Sequence, residues 1–302
     1  MVVEANQENV VPEISMAPGN GPSGITSVTY VQEKEMGRDG EPPATLVAPL
    51  SVAVRGRDVL VLDVNNSAGV KTGIVRQYDG ENAKFVGKYG DYTKWLGANM
   101  MRNTVKSIAL DNAGNALVLD GASKLWRWQP DGDKDKQMDI DVANGNDIAV
   151  NLTNGSIFVA HAGGITKYGV NGDGGQALGA SGEVKAVAAH KDDLWAISGN
   201  VVQKLSADGT MIQSFGPSGA DAKATFTEAT DIAVDPRNGN VVVVDKGAKN
   251  VYVYDAVGTL IGKVGQGTFD APVSATVDAT GRVYVVDAGK KKVYKFLPTA
   301  VR

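Results

Sequence analysis

A pair of short strands recurs along the whole chain, and this periodicity limits the fold more than any other property. In its clearest form the pair reads DIAVD at 231–235 followed by VVVVD at 241–245. The small residue at the centre of the first run recurs as Ala53, Ala109, Ala149, Ala188, Ala233 and Thr276, so successive units begin 39 to 56 residues apart. Two residues after each centre stand Arg55, Asp111, Asn151, His190, Asp235 and Asp278. Eight to ten residues later stand Asp63, Asp120, His161, Ser198, Asp245 and Asp287, so polar turn positions repeat in register.

A third strand follows, with an apolar residue, two variable ones and a large ring: Val75 to Tyr78, Leu125 to Trp128, Ile165 to Tyr168, Val251 to Tyr254 and Val293 to Phe296. In the fourth unit Val202 leads to Leu205 instead. Turn formers such as Asp79-Gly80, Asp131-Gly132 and Asp208-Gly209 come next, then a weaker strand such as TMIQSF at 210–215. A period near 40 residues with four short strands per unit predicts an all-β fold, a six-bladed β-propeller of four-stranded antiparallel blades. One blade cannot bury its own core, so each depends on its neighbours. The continuous run Val59-Leu60-Val61-Leu62 fits a strand covered on both faces.

The sixth unit ends at Arg302 soon after its third strand, which leaves a sheet edge to be covered. Ahead of the first unit lies GITSVTYVQEKE, residues 24–35, a β-rich segment belonging to no complete unit. It is expected to close the ring as an N-terminal strand completing the last blade, so that residues 24–302 form the propeller. Residues 1–23, with Pro12, Pro18 and Pro22, read as an extended N-terminal arm.

The pattern IAVD, VVVVD, VYVYD plus glycine in the fifth unit, and TVDATGRVYVVDAGKKKVYKF in the sixth, resemble NHL repeats, and the looser units extend that resemblance over residues 46–302. The Gly-His and Trp-Asp signature of WD-type blades is absent. The resemblance implies the fold and leaves function open, because similar propellers include protein-binding and RNA-binding modules, calcium-dependent lactonases and lyases.

Three places in the sequence could carry chemistry. The chain has two histidines, His161 and His190, both where sibling units carry a turn residue, so a structural role is expected for each. The starts of the first strands, which should border an axial channel, carry Ser51, Ser107, Asp147, Ala186, Asp231 and Ser274, preceded by Leu50, Lys106, Asn146, Lys185, Thr230 and Val273. Asn146, Asp147 and Asp231 are the candidate calcium ligands there, yet Lys106 and Lys185 would share the ring and oppose a cation. Charges paired around a water-filled axis are therefore expected, with no cofactor, and calcium only under the alternative of a lactonase-type or hydrolase-type enzyme. The third place is the long interval after the first unit, residues 89–102, where Tyr92, Trp95, Leu96, Met100 and Met101 suit either contact with a partner or capping of the channel.

Composition narrows the partners. A net charge of −4 gives no general pull toward phosphate, and Lys290-Lys291-Lys292 makes one basic turn rather than a broad face, so nucleic acid is not expected. With no cysteine there is no disulfide or thiolate site. No segment has the pattern of a signal peptide or the length of a membrane span. The expectation is a non-catalytic protein-binding or structural module, in a virion or the cytoplasm, held in a larger assembly such as a virus or phage particle by its N-terminal arm.

Overall fold

The computed structural model describes residues 27–37, 45–67, 70–88, 105–120, 124–130, 134–140, 144–179, 182–217 and 225–301, and these contain strands and turns with no α-helix. The first strand, β1, runs Ser27–Met36. Four separate antiparallel four-stranded sheets follow, each in simple sequence order. They comprise β2 (Pro49–Arg55), β3 (Asp58–Ser67), β4 (Val70–Asp79) and β5 (Phe85–Lys88), then β6 (Val105–Leu110), β7 (Ala116–Asp120), β8 (Lys124–Trp128) and β9 (Lys134–Asp139). Next come β10 (Gly145–Val150), β11 (Ile157–His161), β12 (Gly164–Tyr168) and β13 (Gln176–Ala177), then β14 (Val184–His190), β15 (Asp193–Ser198), β16 (Val201–Ser206) and β17 (Met211–Phe215).

The remaining strands are β18 (Ala229–Val234), β19 (Val241–Asp245), β20 (Asn250–Tyr254), β21 (Leu260–Val264), β22 (Pro272–Val277), β23 (Val283–Asp287) and β24 (Lys292–Val301). They join β1 in one eight-stranded sheet of order β18-β19-β20-β21-β1-β24-β23-β22. Its two halves are held together unequally. β1 pairs antiparallel with β24 from Ser27↔Val301 to Met36↔Val293. Against β21 it meets only Val28↔Gly262, in parallel.

The second strand of each sheet is continuously apolar because both of its faces are covered. Val59 and Val61 pack with Val52, Tyr78, Tyr284, Val286 and Val293, whereas Leu60 and Leu62 turn the other way, onto Val105, Ile108, Val118 and Trp128. The same division recurs downstream: Leu117 and Leu119 pack on Ile157 and Val159, Phe158 and Ala160 on Leu194 and Ala196, Trp195 and Ile197 on Val241 and Val243, Val242 and Val244 on Val283 and Val285. Each sheet thus stacks on the next, and the two halves of the eight-stranded sheet stack on each other; burying each Val or Leu is worth about 1.5–3 kcal/mol. The third-strand rings Tyr78, Trp128, Tyr168, Tyr254 and Phe296 are all buried at these stacks.

Three of the polar residues that end second strands tie their strand to the segment that enters its sheet. Asp63 accepts from the amides of Val47 and Ala48, Asp245 from those of Thr227 and Glu228, and Asp287 from those of Asp270 and Ala271. Asp111, Asn151, Asp235 and Asp278 accept amides two residues ahead and so fix the first hairpins. The expected closing segment 24–35 corresponds to β1, while the expected arm, residues 1–23, lies outside the described residues, as do 24–26.

Candidate functional site

The first strands lie edge to edge: β2 against β6, β6 against β10, β10 against β14, β14 against β18, β18 against β22, and β22 against β2. Between them is a cavity of about 450 Å³, lined from the Ser51, Ser107, Asp147, Asp231 and Ser274 end to the hairpins carrying Arg55, Asn112, Thr153 and Lys191. Each first strand is bulged one residue before this polar layer, at Leu50, Lys106, Asn146, Lys185, Thr230 and Val273. A bulge breaks the ladder and re-aims the side chains on either side of it.

The bulge changes the expected channel inventory. Asn146 donates its Nδ2 amide to the carbonyl of Val184 at 2.9 Å, and Lys185 Nζ reaches Asn200 Oδ1 at 3.1 Å. Lys106 is exposed. None of the three lines the cavity, so the expected opposition of two lysines to a bound cation does not exist there. Asp147 and Asp231 do face it together.

Each aspartate also ties one sheet to another. The inner edge of a first strand has backbone amides without a ladder partner, and the preceding sheet supplies acceptors. Ser51 Oγ accepts from the amide of Ile108 at 3.3 Å, Asp147 Oδ2 from that of Val187 at 2.9 Å, and Asp231 Oδ2 from that of Ala275 at 2.8 Å. Asp147 Oδ1 additionally accepts the hydroxyl of Ser107 at 2.5 Å, and Asp231 Oδ1 its neighbour's amide, that of Ile232, at 2.8 Å. Asp231 is half-buried and lines the cavity. Burial pushes the Asp147 carboxyl up to about 6. Burial first, and then the charge of Asp147, pushes Asp231 up to about 8.

The histidines are placed otherwise. His161 Nδ1 accepts the amide of Gly163 at 3.0 Å and its Nε2 meets Thr166 Oγ1 at 3.0 Å, which fixes a neutral ring in a turn. Desolvation lowers the pKa of His161, and it is the largest cause of the lowering at His190, which lines the hairpin end of the cavity. Among the described residues no group of three or more His, Asp or Glu side chains is arranged to hold a metal. The candidate contact residues Tyr92, Trp95, Leu96, Met100 and Met101 lie outside the described residues. What the sequence reading missed is the bulge and the role of Ser51 and Ser107. The one available signal was that serine or aspartate recurs at the same offset in five of the units, at 51, 107, 147, 231 and 274.

No protein-family model matches the chain, and no curated protein matches it. Among solved structures, the WD40 beta propeller domain of Doa1 is similar at a TM-score of 0.60 and 12% sequence identity, over 89% of this chain and 97% of that one. At that identity the likeness shows the fold alone: the chain is a β-propeller, with the four separate sheets as blades. No helix of the described residues is long and apolar enough to cross a membrane.

Proposed function

We propose that the chain is a non-catalytic protein-binding or structural module on a six-bladed, NHL-like propeller, closed by β1 as the outer strand of the last blade. Residues 1–23 fasten it to a larger assembly of the kind a virus or phage particle provides. Three features support the architecture: the closed series of first-strand contacts, the stacking of Tyr284 and Val286 onto Val59 and Val61, and the length of the β1–β24 ladder. The observation that carries the function is apolar exposure on an outer strand. β17 leaves Met211 60% and Ile212 56% exposed, and the adjoining turn leaves Val257 65% exposed, with Gln213 Nε2 bonded to the Val257 carbonyl. Exposed apolar side chains on the outer rim of a rigid scaffold suit a protein interface.

The test is crosslinking of the protein in its native assembly, followed by Ile212→Asp and Val257→Asp. The expected outcome is loss of the crosslinked neighbour with unchanged melting; retention of every neighbour by both variants contradicts the reading. The second reading, a calcium-dependent lactonase-type or hydrolase-type enzyme, is favoured by one observation, that Asp147 and Asp231 share the cavity without the two lysines. Stoichiometric calcium resisting dialysis, with ester or lactone turnover, would establish it in place of the first.

A further inference from the structure

The two carboxyls facing the cavity are hydrogen-bonded but uncompensated. Among the described residues neither Asp147 nor Asp231 has an ion-pair partner. The cationic side chains on the wall, Arg55 and Lys191, belong to the hairpin end, four residues along the strand from Ser51 in the case of Arg55, or roughly 13 Å. Two carboxyls removed from water without a counter-charge resist ionising together, and a bound cation relieves the cost of ionising them.

A third group points the same way. Ser274 is 3% exposed and lines the cavity beside Asp231, toward whose carboxyl its hydroxyl turns. Asp147 accepts the Ser107 hydroxyl and the Val187 amide, and Asp231 the amides of Ile232 and Ala275, neutral donors that leave the negative charge unbalanced. Beyond this polar end the wall is apolar, with Ala53, Ala109, Ala149, Ala233, Val234 and Val277.

We propose that the cavity binds a small aliphatic cation, an alkylammonium or alkylguanidinium ion, with its charged head at the Asp147, Asp231 and Ser274 end and its methylene stem along the alanine and valine wall. A hard divalent ion needs about six to eight oxygen ligands, more than two carboxylates and neighbouring hydroxyls supply. An ammonium or guanidinium head needs only two or three acceptors, and the apolar sleeve gives its stem the burial that a bare ion cannot use. This site is independent of the outer-strand surface and goes beyond the protein-binding reading.

Calorimetric titration of the full chain with n-butylammonium and with agmatine tests the proposal, with n-butanol and calcium chloride as parallel arms. At least one of the two organic cations should bind with one-to-one stoichiometry, n-butanol should not, and Asp231→Asn should weaken binding at least about tenfold. Because Asp231 also accepts two backbone amides, Ser274→Ala is the second variant, expected to weaken binding about threefold with unchanged melting. No heat from either cation at ~10 mM, equal binding of n-butanol, or affinity unchanged in both variants overturns the proposal. Calcium bound in preference to both cations overturns it in favour of a metal site.

Discussion

Asp63, Asp147, Asp231, Asp245 and Asp287 all accept backbone amides, yet their settings separate them. Asp63 has the Arg76 guanidinium at 2.8 Å. Asp147 and Asp231 have only neutral donors, and their carboxyls are held above the ordinary value of 3.8. A carboxyl whose pKa is higher in the folded than in the unfolded chain contributes stability that is fully present below 3.8 and is lost as pH rises through the folded value. For this pair the loss runs from the ordinary carboxylate range up to about 8, because burial and their mutual repulsion keep the two carboxyls from ionising together. Melting temperatures measured from about pH 5 to 9 should therefore fall in the native chain, and the fall should be shallower in Asp231→Asn. Parallel curves for the two proteins would contradict this account of the pair.

At the scale of strands, β1 depends on one close backbone approach. A Cβ on Gly262 would stand 2.3 Å from the carbonyl oxygen of Val28, so only glycine lets β21 meet β1 there. Gly262→Ala should cost about 1–3 kcal/mol in urea unfolding while leaving the pairing of Thr29 with Thr299 intact. A change within error would mean that the β1–β21 contact contributes nothing. The strands themselves were legible in the sequence because their apolar runs and turn residues repeat; the third-strand ring, from Tyr78 to Phe296, marked the same buried position five times. The bulges before the channel layer were not legible. A one-residue irregularity leaves composition unchanged while moving Asn146 and Lys185 out of the cavity and onto neighbouring segments. The candidate site was thus half read: its two aspartates were identified, its charge balance was not, and the hydroxyls that complete it carry no motif beyond their offset.

For the whole molecule, stability is shared among interfaces between sheets rather than held in one core, and each interface combines alternate residues of two second strands. Such a structure resists opening only while its last sheet stays tied to its first. The ties present are Tyr284 and Val286 against Val52, Val59 and Val61, Lys295 Nζ on the carbonyl of Gly80 at 2.7 Å, and Met36 of β1 packed among the same first-sheet residues. The chain contains no cysteine, so an introduced pair can form only one intramolecular bond. Thr29 and Thr299 face each other across β1 and β24 with their hydroxyls 2.6 Å apart. Oxidation of Thr29→Cys/Thr299→Cys, followed by mass spectrometry and thermal melting under reducing and oxidising conditions, tests the closure directly. A closed ring predicts quantitative intramolecular disulfide and a stabilisation of about 2–4 kcal/mol, whereas free thiols or linked dimers alone would show that β1 does not lie on the last sheet.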